Sequence, residues 1–160
     1  LPPEFYVKIY YEYYAGKKID LKNPVEFNQK IQWIKAFYKP DILTTLVDKF
    51  KVREHIKDTI GNEYLSELLG SYKSYDEINW KELPNKFVLK GVHGSNYNLI
   101  VKDKSSLDQK KAKRLINKWL SRNYYYRSGL EWAYKNVTPR TATPAFEDVL
   151  FMIDCMYVEI

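Results

Sequence analysis

Apolar residues recur at a helical period through the first sixty positions, after which the period shortens and turn residues become frequent. Phe5, Ile9 and Tyr13 fall on every fourth residue, which predicts a helix over 4–15 closed by Gly16, because glycine is the favoured C-terminal stop. Asn23, Pro24 and Glu26 read as an N-cap, a proline in the first turn and an acid in the third position. They open a second predicted helix running to about Tyr38, with Phe27, Ile31, Ile34 and Tyr38 as its buried stripe. Pro40-Asp41 restarts the chain, and Ile42, Leu46, Phe50, Arg53 and Ile56 continue a third helix that stops before Gly61.

Residues 64–71 form a brief apolar run, and residues 80–84 read as a surface turn. Phe87-Val88-Leu89-Lys90 and Leu99-Ile100-Val101 then predict two strands. Ser106-Leu107-Asp108-Gln109 reads as a capping box for a helix carrying Leu115, Ile116, Trp119 and Leu120 inward. The two strands are expected to pair antiparallel, with that helix on one face. Beyond Tyr126 the signal weakens. Thr138-Pro139-Arg140 and Thr143-Pro144 break any helix, and residues 149–160 are an apolar tail without clear period.

The segment between the strands holds the chemistry. Lys90-Gly91-Val92-His93-Gly94-Ser95-Asn96-Tyr97-Asn98 combines a cation, two glycines, a hydroxyl and amides. Glycine lets backbone N–H groups approach an anion and take positive φ, lysine supplies a point charge for phosphate oxygens, and serine adds a donor. The Gly-Lys-Ser/Thr ending of a P-loop is missing, and a glycine-containing hairpin turn has the same local pattern.

The surrounding residues resemble the TupA-like ATP-grasp family over nearly all of positions 1 to about 140. The likeness rests on Asn23-Pro24, Phe27-Asn28, Lys30-Ile31-Gln32-Trp33, Asp48-Lys49, Val52-Arg53, Ile60-Gly61 and Leu83-Pro84. It continues through Phe87-Val88-Leu89-Lys90, His93-Gly94-Ser95, Tyr97-Asn98, Trp119-Leu120, Asn123-Tyr124-Tyr125 and Pro139-Arg140. The resemblance implies an α/β (α+β) fold: a helical region over 1–62, the first lobe of an ATP-grasp domain with a small antiparallel sheet over 63–140, and a tail over 141–160 that departs from the family. It also implies that Lys49 and Lys90 contact ATP phosphates, and that His93, Gly94, Ser95, Asn96, Tyr97 and Asn98 form a flap over them. Such enzymes make an acyl-phosphate from a carboxylate and ATP-magnesium, and TupA-like members are implicated in teichuronopeptide or capsule-type polymer assembly. The acceptor would be an acidic glycan or a peptide. Two departures stand out. Asn96 replaces the family's usual glycine, and after Arg140 the adenine hinge and the acidic magnesium ligands of the second lobe do not follow. That implies a fragment, a truncated gene product or a nucleotide-binding pseudoenzyme, with no catalytic residue and no metal ligand to name.

Charge leaves a rival open. A net charge of +6 and 26 lysines and arginines suit any polyanion, so a non-catalytic module for nucleic acid or an acidic polymer is the alternative. Lys110, Lys111, Lys113, Arg114, Lys118 and Arg122 would be its contact face, although a solvated outer helix face gives the same pattern and nucleic acid is the less expected partner. The single cysteine, Cys155, forms no internal disulfide, and two histidines make no zinc constellation. No stretch has a membrane-spanning pattern and the amino end lacks a signal pattern, so the expected location is the cytoplasm.

Overall fold

The structure, a computed structural model, describes residues 2–144. The apolar run at 149–160 and Cys155 lie outside the described residues.

Helix α1 (Pro3–Ala15) ends where expected: Gly16 takes φ 66° and its N–H bonds to the Glu12 carbonyl at 3.1 Å. The buried side of α1 is not the expected one. Val7 and Tyr11 are buried, while Phe5, Ile9 and Tyr13 point outward, Tyr13 at 79% exposure. Residues 7 and 11 lie nearly opposite 5 and 9 on the helix, and apolar residues flank the charged strip of Glu4, Lys8 and Glu12 on both sides, so the period offers two solutions and packing against a neighbour selects one. That neighbour is α2 (Phe27–Phe37). Its cap is Glu26 rather than Asn23, because the Gln29 side chain accepts from the Val25 and Glu26 N–H groups. Tyr11 and Lys17 both bond to the Glu26 carboxylate, tying the two helices. The expected α2 stripe is also largely exposed, with Phe27 at 75%, and the buried position is Ala36.

The third predicted helix is two. α3 (Ile42–Val47) and α4 (Val52–Thr59) are separated at residues 48–51, where the Asp48 carboxylate accepts from the N–H groups of Phe50 (2.9 Å) and Lys51 (3.2 Å). An aspartate that bonds the backbone two and three residues on offers the chain a turn in place of a helix.

Four strands form one antiparallel sheet: β1 (Leu68–Tyr72), β2 (Phe87–Gly91), β3 (Asn98–Val101) and β4 (Thr141–Pro144), in spatial order β1-β4-β2-β3. β2 and β3 pair as expected, Phe87 opposite Val101 and Lys90 opposite Asn98. β1 comes from the brief apolar run. β4 carried no strand signal, yet it lies between β1 and β2, with Tyr72 and Gly91 both opposite Thr141. The resulting architecture is mixed α/β with a small open sheet.

Helix α5 (Gln109–Leu120) covers the sheet, capped by Asp108, whose carboxylate accepts from the Lys111 N–H at 2.9 Å. Ser106 instead closes a short 3-10 turn, so the cap lies two residues later than its expected position. Ile116 and Trp119 of α5 pack with Phe87, Leu89, Tyr97 and Val101 in the core. Leu83, in the segment expected to be a surface turn, joins them with Ile78. Phe87, Val88 and Leu89 are fully buried in succession, so β2 is covered on both faces.

Candidate functional site

The break between α3 and α4 and the loop after β2 meet. Lys49 sits in the break, held there by the turn that Asp48 makes. Its backbone N–H bonds to the Val92 carbonyl at 3.3 Å, and its ammonium donates to the carbonyls of Gly91 (3.4 Å) and Gly94. One residue therefore grips three carbonyls of the loop.

Lys90, next to last in β2, lies beside it. Burial strips water from the Lys49 ammonium, and the neighbouring Lys90 charge adds repulsion; against the opposing pull of Asp48, these push its pKa down to about 8. Burial alone lowers Lys90. Among the described residues neither lysine has a carboxylate within ion-pair distance. Two desolvated cations held together without a counter-ion make a site that an anion would stabilise.

The remaining loop residues divide into base and rim. His93 is 1% exposed, and its Nε2–H donates to the Trp119 carbonyl at 2.9 Å, which fixes the tautomer and leaves Nδ1 as an acceptor. Burial pushes its pKa down, so the ring is neutral. Tyr97 is buried and stacks on Trp119 at 5.6 Å, with edge contacts to His93 and Tyr124. These two side chains anchor the loop to α5. Ser95 is half-buried, and Asn96 and Asn98 are exposed, so the rim carries the amides and the hydroxyl.

Asn96 adopts φ 59°, the left-handed conformation that asparagine tolerates best after glycine. Gly91 and Gly94 are needed for a different reason than positive φ. A Cβ on Gly91 would lie 2.7 Å from the Tyr97 Cβ, and one on Gly94 would lie 2.8 Å from both the Tyr124 and Tyr97 rings. The loop is drawn tight over its own aromatic base.

The sequence model of TupA-like ATPgrasp proteins matches residues 29–146, which runs from within α2 through β4 and takes in every residue of this site. The chain belongs to the TupA-like ATPgrasp family. No curated protein and no solved structure matches it. Membership carries ATP-grasp-type function in general, in which ATP is generally used with magnesium.

For this TupA-like chain the phosphate half of such a ligand fits: unpaired, partly buried cations line a loop with no room for extra side chains. The metal half does not, since among the described residues no group of three or more histidines, cysteines, aspartates or glutamates is placed to hold an ion. No described helix is long and apolar enough to cross a membrane.

Two participants escaped sequence reasoning. Asp48 looked like half of an Asp-Lys motif, and only the broken helix shows it building the turn that aims Lys49. Arg140 reaches the site because β4 runs beside β2: its carbonyl accepts from the Val92 N–H at 3.0 Å, and its guanidinium lies 4.8 Å from the centre of the Phe50 ring. Arg53, on α4, donates to the Ser66 carbonyl.

Proposed function

We propose that this chain is the phosphate-binding part of an ATP-grasp ligase-type enzyme that activates a carboxylate as its acyl-phosphate. We place that enzyme in bacterial surface-polymer or teichuronopeptide assembly, with an acidic glycan or peptide as acceptor. The observation that carries the proposal is the convergence of Lys49 and Lys90, both partly buried and without a carboxylate partner, at one loop. Lys90 enters from near the end of β2 and Lys49 from the α3–α4 break, where its ammonium meets the Gly91 and Gly94 carbonyls, and the phosphates would lie in the space beside this loop. In that space they neutralise phosphate oxygens, while the backbone N–H groups of residues 93–96 and the Ser95 hydroxyl supply uncharged donors. Their part of the reaction is to hold the phosphates and exclude water.

The α5 face is less suited to be the anion site. Lys113 pairs with Asp76 at 2.8 Å and Lys111 with Asp108 at 3.6 Å, and both are solvent-screened.

The test is a titration with millimolar ATP, followed by amide shifts at Gly91, Gly94 and Ser95. Lys90→Met should weaken ATP binding about tenfold or more, whereas glutamine at Lys110, Lys111 and Lys113 together should leave it unchanged. Absence of loop shifts, alongside salt-steep polyanion binding lost in the triple variant, would refute the nucleotide reading.

A further inference from the structure

We propose that Arg140 is a third phosphate-contacting residue, and that it makes the site selective for a chain of phosphates over a single one. The inference rests on the nucleotide reading above, and extends it to a residue on a different strand.

Strand register places the side chain. Lys90 is opposite Ala142 and Gly91 is opposite Thr141, and the Val92–Arg140 backbone bond continues the ladder. Side chains alternate along a strand, so Arg140 leaves β4 on the face of Ala142, which is also the face of Lys90. Lys90 and Arg140 are thus diagonal neighbours across two antiparallel strands, about 7–8 Å apart at their backbones.

Packing then aims the guanidinium. It lies over the Phe50 ring, and Phe50 directly follows Lys49, so Arg140 extends to the same α3–α4 break that delivers the Lys49 ammonium. A ring beneath a guanidinium fixes its plane and leaves its outer edge to donate two parallel bonds, which suits phosphate oxygens.

Bonding leaves the group free to do so. Its Nε is buried without a hydrogen-bond partner among the described residues, and no described carboxylate lies within ion-pair distance of it. The nearest acid in sequence to this break is Asp48. One of its oxygens accepts from the Phe50 and Lys51 N–H groups, and its charge pulls on the Lys49 ammonium. Three cations and a single nearby carboxylate leave a positive excess spread over separate positions. A lone phosphate reaches only part of it, whereas a polyphosphate chain spans it.

The experiment compares ATP, AMP and inorganic tripolyphosphate as ligands of the full chain and of Arg140→Gln, Arg140→Lys and Phe50→Leu, by amide shifts and calorimetry. Arg140→Gln should weaken ATP and tripolyphosphate about tenfold and change AMP by less than about twofold. Arg140→Lys should recover part of the loss, and Phe50→Leu should show a smaller loss of the same selectivity. If Arg140→Gln does not fold, the ATP-to-AMP affinity ratio of Arg140→Lys decides. Wild-type affinities in both arginine variants, or equal losses for ATP and AMP, would overturn the inference alone. If tripolyphosphate moves the loop signals and ATP does not, the nucleotide reading falls and the arginine is judged on tripolyphosphate. If neither ligand moves them, both are overturned.

Discussion

Replacing Lys49 with methionine should separate what this lysine costs the fold from what it contributes to binding. The drop in its pKa from 10.5 to about 8 corresponds to roughly 3 kcal/mol of penalty on the charged form, at about 1.36 kcal/mol per pKa unit. Its bonds to the Gly91 and Gly94 carbonyls offset roughly 2 kcal/mol of that, the usual scale for a charged donor. At pH 7 the variant should therefore match the wild type or exceed it by about 1 kcal/mol, because methionine fills the space without a charge. The pH dependence is sharper. Below about 8 the lysine is protonated in both folded and unfolded chains, and its penalty is fully present. Between about 8 and 10.5 the unfolded chain keeps the proton that the folded chain sheds, so the wild type gains about 1.4 kcal/mol per pH unit and the variant does not. Urea unfolding followed by tryptophan fluorescence from pH 7 to 9.5, below the tyrosine range, should show the wild type gaining about 2 kcal/mol relative to Lys49→Met. ATP affinity should fall about tenfold in the same variant. A variant more than about 2 kcal/mol less stable at pH 7, or a stability difference flat with pH, would refute the picture of a desolvated, repelled ammonium.

Three further perturbations address the frame around the loop. Thr141 is fully buried in β4 with its hydroxyl unpartnered among the described residues, so Thr141→Val should raise stability by about 1 kcal/mol in urea unfolding. His93 is buried and neutral with its pKa depressed, so its contribution is intact above about 6.5 and is lost as pH falls below that value. His93→Gln should flatten the stability loss between pH 7 and pH 5, measured the same way. Gly94→Ala drives a methyl group into the Tyr97 and Tyr124 rings and should cost about 1–3 kcal/mol, read as a lower thermal midpoint with broadened loop signals.

Much of the local structure was legible in the chain because it has local causes. Gly16 ends α1, strands flank the glycine loop, Asn96 holds a left-handed turn, and Lys90 stands at the end of β2: each depends on residues within a few positions of it. The break in the third helix also had a local cause, but its signal was faint, since Asp48 within an apolar period reads as a solvated helix residue until its carboxylate is seen bonding two N–H groups.

What the tertiary structure decided concerns choices that the chain leaves balanced. The aromatic α1 presents apolar residues on both sides of its Glu4, Lys8 and Glu12 strip, and only the approach of α2 selects Val7 and Tyr11 over Phe5 and Ile9 for burial. Thr141 to Pro144 has neither alternation nor apolar character, yet it becomes an interior strand because β1 and β2 offer it unpaired backbone groups on both sides. That placement brings Arg140 beside Lys90, fifty positions away in sequence, and the turn at Asp48 brings Lys49 to Gly91 and Gly94. Sequence alone determined which residue types could meet a phosphate. Only the sheet order and the helix break, set by backbone hydrogen bonding between distant segments, determined that three of them meet at one loop.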